Sequence, residues 1–336
     1  MTPLVVLSMP RSGTSLAAQI LGLLGCALPD DQLPPSEQFN PDGFFESEAL
    51  LRLRVGLEDA VGINFSFPRC VRDADWSRIH EPVFNEFRAR AREKLAGMAE
   101  RCAQEGTPFW VFKDPRTSAL LPFWTDFFER EGIQPRYVVA IRHPAAVARS
   151  VRNFTGLTAK MSELLWLESV GGIFSFLQDK PFVLLTYEHW FNDDRQVETL
   201  CQSLALDGLP FRPDRLKAAT QAIKPTLNHG KVDCMDMAPG SLALRLYEEA
   251  ARLHVRNAGL SGAMRELTGQ VGESLSIMKD LSAFLQPEAY AQMTDFDQRT
   301  RAWHARVDEL ETTIRELEAQ IAEMSAQAGG QAGENE

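Results

Sequence analysis

The chain has 336 residues, of which 44% are apolar and 24% charged, a balance that suits a globular protein with a substantial core. Its formal net charge of −11 gives no general attraction to nucleic acid or to an anionic membrane, although a local basic pocket is compatible with it. The five cysteines are scattered and form no CxxC pair, which favours a reduced, cytoplasmic protein. Apolar runs near the N-terminus fall well short of the roughly 20 residues that span a bilayer, so we expect no transmembrane segment and no signal peptide.

Four short apolar runs have the character of strands that are buried on both faces of a parallel sheet. These runs are residues 3–8, 109–113, 137–142 and 182–187. Helical patterns separate them, at residues 14–24, 81–102, 145–154 and 160–177. Strands that alternate with helices predict an α/β, P-loop-like fold of three layers with a central parallel sheet, in which ligands bind beyond the carboxyl ends of the strands.

The C-terminal part of the sequence is almost wholly helical. We expect a first domain of residues 1–240, a helical extension of residues 241–290 packed on it, and a disordered tail of residues 327–336. In the intervening residues 291–326, apolar side chains alternate steps of four and three: Trp303, Val307, Leu310, Ile314, Leu317, Ile321 and Met324. This heptad pattern is typical of a short coiled coil that pairs chains through residues 299–326, although a lone amphipathic helix folded onto the domain also fits it.

A turn between the first strand and the first helix has the features of a phosphate-binding loop. Backbone N–H groups and the helix dipole favour an anion at such a position. The turn combines small and hydroxyl side chains with one basic residue: Arg11, Ser12, Gly13, Thr14 and Ser15. Thr14 occupies the place of the lysine in the Walker A pattern, which disfavours an ordinary ATPase. The plainer interpretation is a strand-to-helix connection in which Ser12 or Thr14 merely caps the helix.

At this point the sequence resembles the sulfotransferases that depend on 3′-phosphoadenosine 5′-phosphosulfate (PAPS), particularly their bacterial and Golgi-type carbohydrate branch. The family's Arg-Ser-Gly-Thr-like loop matches residues 11–15, and the resemblance implies that they hold the 5′-phosphosulfate, with Arg11 neutralising charge on the transferring group. A second family signature, a strand ending in arginine with a serine eight residues later, matches Arg142 and Ser150. The resemblance implies that this pair binds the 3′-phosphate, for which a guanidinium offers a planar fork of donors. A surface ion pair is the other possible use of Arg142.

Further segments are similar to this family, and the resemblance covers roughly residues 3 to 230. One is the Lys-Asp-Pro-Arg segment at residues 113–116, and another is the strand end at residues 186–188 with Trp190 and Asp193 after it. The match is patchy between residues 52 and 108, where acceptor-binding segments of the family differ most.

Sulfuryl transfer needs in-line groups and preorganised positive charge around the transferring oxygens. Arg11 and Lys113 are our candidates for that charge, although Lys113 in an ordinary salt bridge is the competing interpretation. A general base must lie within hydrogen-bond reach of the acceptor, and the resemblance favours Glu46, which follows a loop that we expect to cross the site. A simple first-turn charge on a helix is the alternative for Glu46, and His143 and His229 are weaker candidates for the base.

Two interpretations remain possible for each of several other polar residues. Arg52 and Arg54 either reach an acidic acceptor or lie on an exposed helix face. Arg116 either pairs with Asp114 or contacts an acidic acceptor. The polar segment at residues 224–230 either closes over the nucleotide or is an ordinary surface loop.

These observations predict a sulfotransferase that moves the sulfuryl group of PAPS to a hydroxyl or amine, with a glycan or glycolipid as the acceptor that the resemblance implies. We expect no metal, because no His, Cys or carboxylate cluster at ligand spacing occurs in the sequence. The alternative is a P-loop kinase of a small molecule or sugar. A third possibility is a non-catalytic assembly protein that uses the heptad segment and retains a degenerate nucleotide site.

Overall fold

A computed structural model describes residues 1–36, 40–63, 76–155, 157–192, 195–206, 212–224, 240–253 and 259–282, together with Thr313. Contacts divide the chain into two units, Met1–Asp280 and Leu281–Glu336. Almost all of the second unit, including the predicted coiled coil and tail, lies outside the described residues. The predicted domain boundaries therefore stay predictions.

Strands and helices alternate along the first unit. In chain order they are β1 (Thr2–Leu7), α1 (Thr14–Leu24), α2 (Glu48–Val61), α3 (Pro82–Glu105), β2 (Phe109–Lys113), α4 (Leu121–Arg130), β3 (Arg136–Ile141), α5 (Pro144–Thr155), α6 (Ala159–Phe176), β4 (Phe182–Thr186), α7 (His189–Asn192), α8 (Arg195–Leu206), α9 (Pro213–Gln221), α10 (Leu242–Ala251) and α11 (Gly262–Ser282). Short 3₁₀ turns occupy Trp76–His80 and Thr117–Ala119. Each predicted strand is present within one residue of its expected bounds. Helices α4, α8 and α9 were not predicted from the sequence.

The four strands form one parallel sheet in the order β2-β1-β3-β4. β1 therefore lies between β2 and β3. Its Val6 is opposite Lys113, and its Leu7 is opposite Val139, so all strands end at one edge. The order reverses direction at β1, and such a switch point is where open α/β sheets bind ligands. This arrangement confirms the predicted α/β fold with a central parallel sheet.

Side chains along each strand alternate between two hydrophobic layers. Val5 and Leu7 pack with helices α2 to α6, α10 and α11, whereas Leu4 and Val6 pack with α1, α8 and α9 on the opposite face. A strand whose two faces are both covered reads as a continuous apolar run, which is the pattern found in the sequence. The sheet is thus the middle of three layers.

Two helix ends near the sheet are fixed by defined contacts, the end of α1 beside the start of β2 and the start of α2 beside the end of β2. Gly25 ends α1 with φ 109°, the left-handed conformation that glycine adopts readily, and Arg215 Nη1 donates to the Leu24 carbonyl at 3.3 Å. At the start of α2, Ser47 Oγ accepts from the Leu50 N–H at 3.2 Å and donates to Asp31 Oδ2 at 2.8 Å. The cap on α2 therefore holds the residue just before it at a defined position.

Contact between α6 and α11 depends on a glycine. A Cβ atom at Gly171 would lie 2.6 Å from Val271 Cγ1, whereas one at Gly269 on α11 would meet nothing within 4 Å. We expect Gly171→Ala to destabilise the protein by about 1–3 kcal/mol, because a β-branched valine cannot rotate away freely. Gly269→Ala is the matched control and should stabilise by up to about 1 kcal/mol through helix propensity. Chemical denaturation measures both, and equal effects of the two variants would contradict this packing.

Candidate active site

The turn between β1 and α1 has the backbone geometry of an anion-binding loop. Arg11 has φ 72° and Gly13 has φ 88°, so two residues of the turn are left-handed. Gly13, and not Ser12 or Thr14, is the N-cap residue of α1. The first N–H groups of the helix therefore point into the turn, as they do in phosphate-binding loops.

Gly13 is required for space as well as for conformation. A Cβ atom there would lie 2.3 Å from Cδ2 of Tyr187, the buried residue that follows β4. No rotation of an alanine methyl relieves such an overlap, and the left-handed φ adds strain to any larger residue. The turn and the end of β4 are thus in close van der Waals contact at Gly13 and Tyr187.

Two polar atoms beside this turn are buried without a hydrogen-bond partner in the described chain. They are Ser12 Oγ, on a side chain that is 1% exposed, and Arg142 Nε. Leaving a buried donor or acceptor unsatisfied costs about 1–3 kcal/mol. Such groups are retained where a ligand satisfies them, so both atoms fit an anion at this turn.

Arg142, which directly follows β3, is held in one orientation by neutral contacts. Its Nη1 donates to the Arg11 carbonyl at 3.3 Å, and its guanidinium carbon lies 4.2 Å from the centre of the Tyr187 ring. Trp166 Nε1 donates to the Arg142 carbonyl at 3.3 Å. Arg11 Nε in turn donates to Ser150 Oγ at 3.0 Å. The structure thus brings Arg11, Arg142 and Ser150 together.

The two guanidinium groups concentrate positive charge at this point. Burial and the charge of Arg142 lower the pKa of Arg11, and burial lowers the pKa of Arg142. Arginine stays protonated at neutral pH despite such shifts. Arg142 is half-buried and Arg11 is more exposed, and an anion bound between the two cations relieves their mutual repulsion.

Lys113, at the end of β2, meets Glu46 beside the turn. The side chain of Lys113 is buried, and its Nζ donates to Glu46 Oε1, to the Phe44 carbonyl at 3.0 Å and to Ser15 Oγ at 3.3 Å. Asn40 Nδ2 also donates to Ser15 Oγ, at 2.8 Å. The salt bridge considered for Lys113 is therefore present, and its partner is the residue that the sequence suggested as the general base.

Burial acts on both members of this pair. It raises the pKa of Glu46 and lowers the pKa of Lys113, while the attraction between the two charges opposes both shifts. Groups shifted towards each other in this way exchange a proton at lower cost than they do in water. Burial thus weakens the preference of both residues for their charged forms.

A second set of charges lies behind this pair. Arg54 contacts Glu58 Oε2 at 2.7 Å and Asp114 Oδ2 at 2.8 Å. Arg116 Nη1 lies 3.5 Å from Glu58 Oε2, and the Arg116 N–H donates to Asp114 Oδ1 at 2.9 Å. The interpretation of Arg54 as part of an exposed helix face is wrong, since its side chain is only 10% exposed.

Some residues considered from the sequence have other surroundings. Arg52 pairs with Glu48 on the surface, 2.8 Å apart, with 69% of the arginine side chain exposed. His143 Nδ1 accepts from the Ala145 N–H at 3.3 Å at the start of α5, and burial lowers the pKa of His143. This contact engages the ring in the local turn. His229 lies outside the described residues.

In the loop before α2, Asn40 and the Phe44 carbonyl both contact Ser15, so residues 40–44 pack beside the turn. Lys224, which follows α9, forms an ion pair with Asp42 of this loop. The remaining residues of the predicted closing segment, 225–230, lie outside the described part of the chain, as does Asp193.

Sequence reasoning missed two supports of Arg142. Tyr187 provides the ring beneath its guanidinium, and the position of this residue directly after a strand was a usable signal. Trp166 lies within α6 and is fully buried, so nothing in the local sequence separates it from other core residues. Only the docking of α6 against the end of β3 brings its indole to Arg142.

Among the described residues, no three His, Cys, Asp or Glu side chains are grouped so that they would hold a metal ion. Within the same part of the chain, no helix combines the length and the apolar character that crossing a membrane requires.

Known structures that are similar to this chain include two sulfotransferase domains. The domain from the Synechococcus PCC 7002 olefin synthase is 21% identical, with a TM-score of 0.38 over 81% of this chain and 94% of that one. The domain from the curacin biosynthetic pathway is 19% identical, with a TM-score of 0.36 over 81% of this chain and 98% of that one. Sequence identities and TM-scores this low carry no information about the activity of this chain. No curated protein matches the sequence.

The sequence model of the sulfotransferase family matches residues 3–207. The matched region runs from β1 to the end of α8 and is well over half of the chain. It contains the turn, the two arginines and the pair formed by Lys113 and Glu46. The chain therefore belongs to the sulfotransferase family.

Proposed function

We propose that this sulfotransferase takes the sulfuryl group from PAPS and transfers it to a hydroxyl or amine of its acceptor. The observation that carries the proposal is the convergence of Arg11, Arg142 and Ser150 at one turn, where Ser12 Oγ and Arg142 Nε have no partner in the described chain. A nucleotide with anionic groups at two positions suits this set. Family membership supports sulfuryl transfer, and the donor is our inference from the residues.

In this proposal, different residues bind the two anionic groups of the nucleotide. Residues 11–15 offer backbone N–H groups, hydroxyls and one guanidinium for the 5′-phosphosulfate. Arg142 offers charged donors for the 3′-phosphate, and the Ser150 hydroxyl is hydrogen-bonded to Arg11, whose carbonyl Arg142 contacts. The short path from Arg142 through Arg11 to Ser150 supports a single donor site rather than two separate anion sites.

When bound, PAPS supplies an activated sulfuryl group and a phosphate leaving group. Arg11 and Lys113 provide positive charge on two sides of the turn for the oxygens on which negative charge grows. Glu46 takes the proton of the acceptor, which requires its hydrogen bond from Lys113 to open. Lys113 has further acceptors in Ser15 and the Phe44 carbonyl, so its ammonium stays at the turn when Glu46 is released.

A hydroxyl of a glycan or glycolipid is our proposed acceptor, and its basis is the sequence resemblance to the carbohydrate branch. The charged groups of Arg54 and Arg116 are already bonded to carboxylates, so they give no reason to expect an acidic acceptor. Transfer of labelled sulfate from PAPS to a panel of neutral glycans, glycolipids and amines tests this class.

Isothermal titration calorimetry tests the donor. The proposal expects adenosine 3′,5′-bisphosphate, the nucleotide product, to bind the full chain without added metal. Magnesium-ATP is the competing ligand, because the kinase alternative requires it. Binding of magnesium-ATP together with no binding of the bisphosphate would overturn the proposal.

Replacement of Arg142 by lysine keeps the charge and removes the planar fork. We expect Arg142→Lys to weaken binding of adenosine 3′,5′-bisphosphate by roughly tenfold to a hundredfold, since a hydrogen bond to a charged group contributes about 1.5–3 kcal/mol. Arg152→Lys, at an exposed position in the last turn of α5, is the control and should bind as the wild type does. Equal affinities for the two variants in calorimetry would remove Arg142 from the donor site.

Removal of the Glu46 carboxylate tests the general base. Glu46 acts only when deprotonated, so activity should fall as pH drops through its pKa. Burial raises that pKa, which places the fall at higher pH than an ordinary carboxylate does. We expect Glu46→Gln to lower kcat by roughly 10²- to 10⁴-fold and to abolish this acid limb in a pH profile of kcat.

The control for this change is Glu48→Gln, which neutralises an exposed carboxylate two residues further on. Its pH profile should match that of the wild type. Survival of the acid limb in Glu46→Gln would show that another group takes the proton.

A further inference from the structure

A carboxylate stands close to Arg142 without being its ion-pair partner. Glu188 follows Tyr187, whose ring lies beneath the Arg142 guanidinium. Both oxygens of Glu188 accept hydrogen bonds from neutral donors: Oε1 from the His143 N–H at 3.0 Å and Oε2 from the Tyr247 hydroxyl at 2.8 Å. Its negative charge is nevertheless near enough to act on the pKa of Arg142.

The hydroxyl that holds Oε2 comes from a distant part of the chain. Tyr247 lies on α10, beyond residues 3–207 that the family model matches. Its side chain is buried, and its ring meets the His143 ring edge-on with centroids 5.1 Å apart. Burial and the Glu188 carboxylate raise the pKa of Tyr247, so the hydroxyl keeps its proton and remains a donor at all physiological pH values.

We propose that Tyr247 is a positioning residue of the donor site, whose hydroxyl keeps the Glu188 carboxylate turned away from Arg142 and so leaves the guanidinium to the 3′-phosphate. The proposal rests on the PAPS donor proposed above. Its physical basis is competition between two anions for one cation. A carboxylate whose oxygen loses a donor turns to the nearest cation, because an unsatisfied charged oxygen is costly in a partly buried site.

Arg142 is a strong donor close to a released Oε2, since Oε1 already bonds the next residue, His143, and the Arg142 Nε is buried and has no partner in the described chain. A Glu188–Arg142 ion pair would occupy the donors that the phosphate needs. Nucleotides that carry a 3′-phosphate should therefore lose affinity, whereas nucleotides that lack it should not.

The experiment measures binding of two ligands, adenosine 3′,5′-bisphosphate and adenosine 5′-monophosphate, by calorimetry on the full chain. We expect Tyr247→Phe to weaken the bisphosphate by roughly tenfold, the loss that one charged hydrogen bond produces, and to leave the monophosphate within about twofold. The ratio of the two affinities is the readout, because a general loss of folding lowers both together.

A second variant separates competition from simple loss of packing. Glu188→Gln removes the competing charge, and its amide oxygen can still accept from the His143 N–H. The double variant Tyr247→Phe with Glu188→Gln should therefore recover the bisphosphate affinity of the wild type. A purely structural role for Tyr247 predicts no recovery, since the hydroxyl is missing in both variants.

Tyr137→Phe is the matched control, because it removes another largely buried tyrosine hydroxyl at the opposite end of β3 from Arg142. It should change neither affinity. An unchanged affinity ratio in Tyr247→Phe, or no rescue in the double variant, would overturn the role of Tyr247 while the donor proposal stands. No binding of the bisphosphate to the wild type would instead remove the donor proposal and this role with it.

Discussion

The site depends on one arrangement, in which the side chains of Arg11 and Arg142 are held next to each other at the centre of one sheet edge. Burial lowers the pKa of Arg142, and burial together with repulsion from Arg142 lowers the pKa of Arg11. Arg142 is held by the Tyr187 ring and the Arg11 carbonyl, which are neutral, and Arg11 reaches the Ser150 hydroxyl. Positive charge held in this way is preorganised for an anion. The position of β1 between β2 and β3 makes this arrangement possible.

Next to the arginines, the fold buries a cluster in which every cation contacts a carboxylate. Its members are Lys113, Glu46, Arg54, Asp114, Glu58 and Arg116. Buried pairs of this kind add little net stability, but loss of one partner is costly because it leaves an uncompensated charge. A cluster that is balanced internally holds its residues in fixed positions, and Lys113 links it to the turn through Ser15 Oγ. This arrangement supports a donor-binding role for the arginines and a proton-handling role for Glu46, with Lys113 in contact with both Glu46 and the turn.

Local patterns predicted most of the elements but not all of them. The strand bounds follow from short apolar runs, and Gly25 marks the end of α1 because a left-handed residue terminates a helix. Helix α4 was not anticipated, since Pro122 stands in its first turn, where proline fits a helix as well as a loop. The burial of the Arg54 side chain was not predicted either, because the spacing of charges along a helix does not show which face of the helix is covered. The structure decides that point by packing α2 against α3 and the end of β2.

The sequence by itself determined that basic residues stand at the ends of two buried strands, β2 and β3, and that a small, hydroxyl-rich turn follows a third, β1. Parallel strands share a carboxyl edge, so these residues had to lie on one side of the sheet. Only the tertiary structure decided which residues contact each other. The strand order places the turn between Lys113 and Arg142. The loop before α2 brings Glu46 to Lys113, and α10 brings Tyr247 to Glu188. The reason is physical, since each of these contacts joins residues far apart in the chain, and their distance depends on how whole elements pack rather than on any local preference.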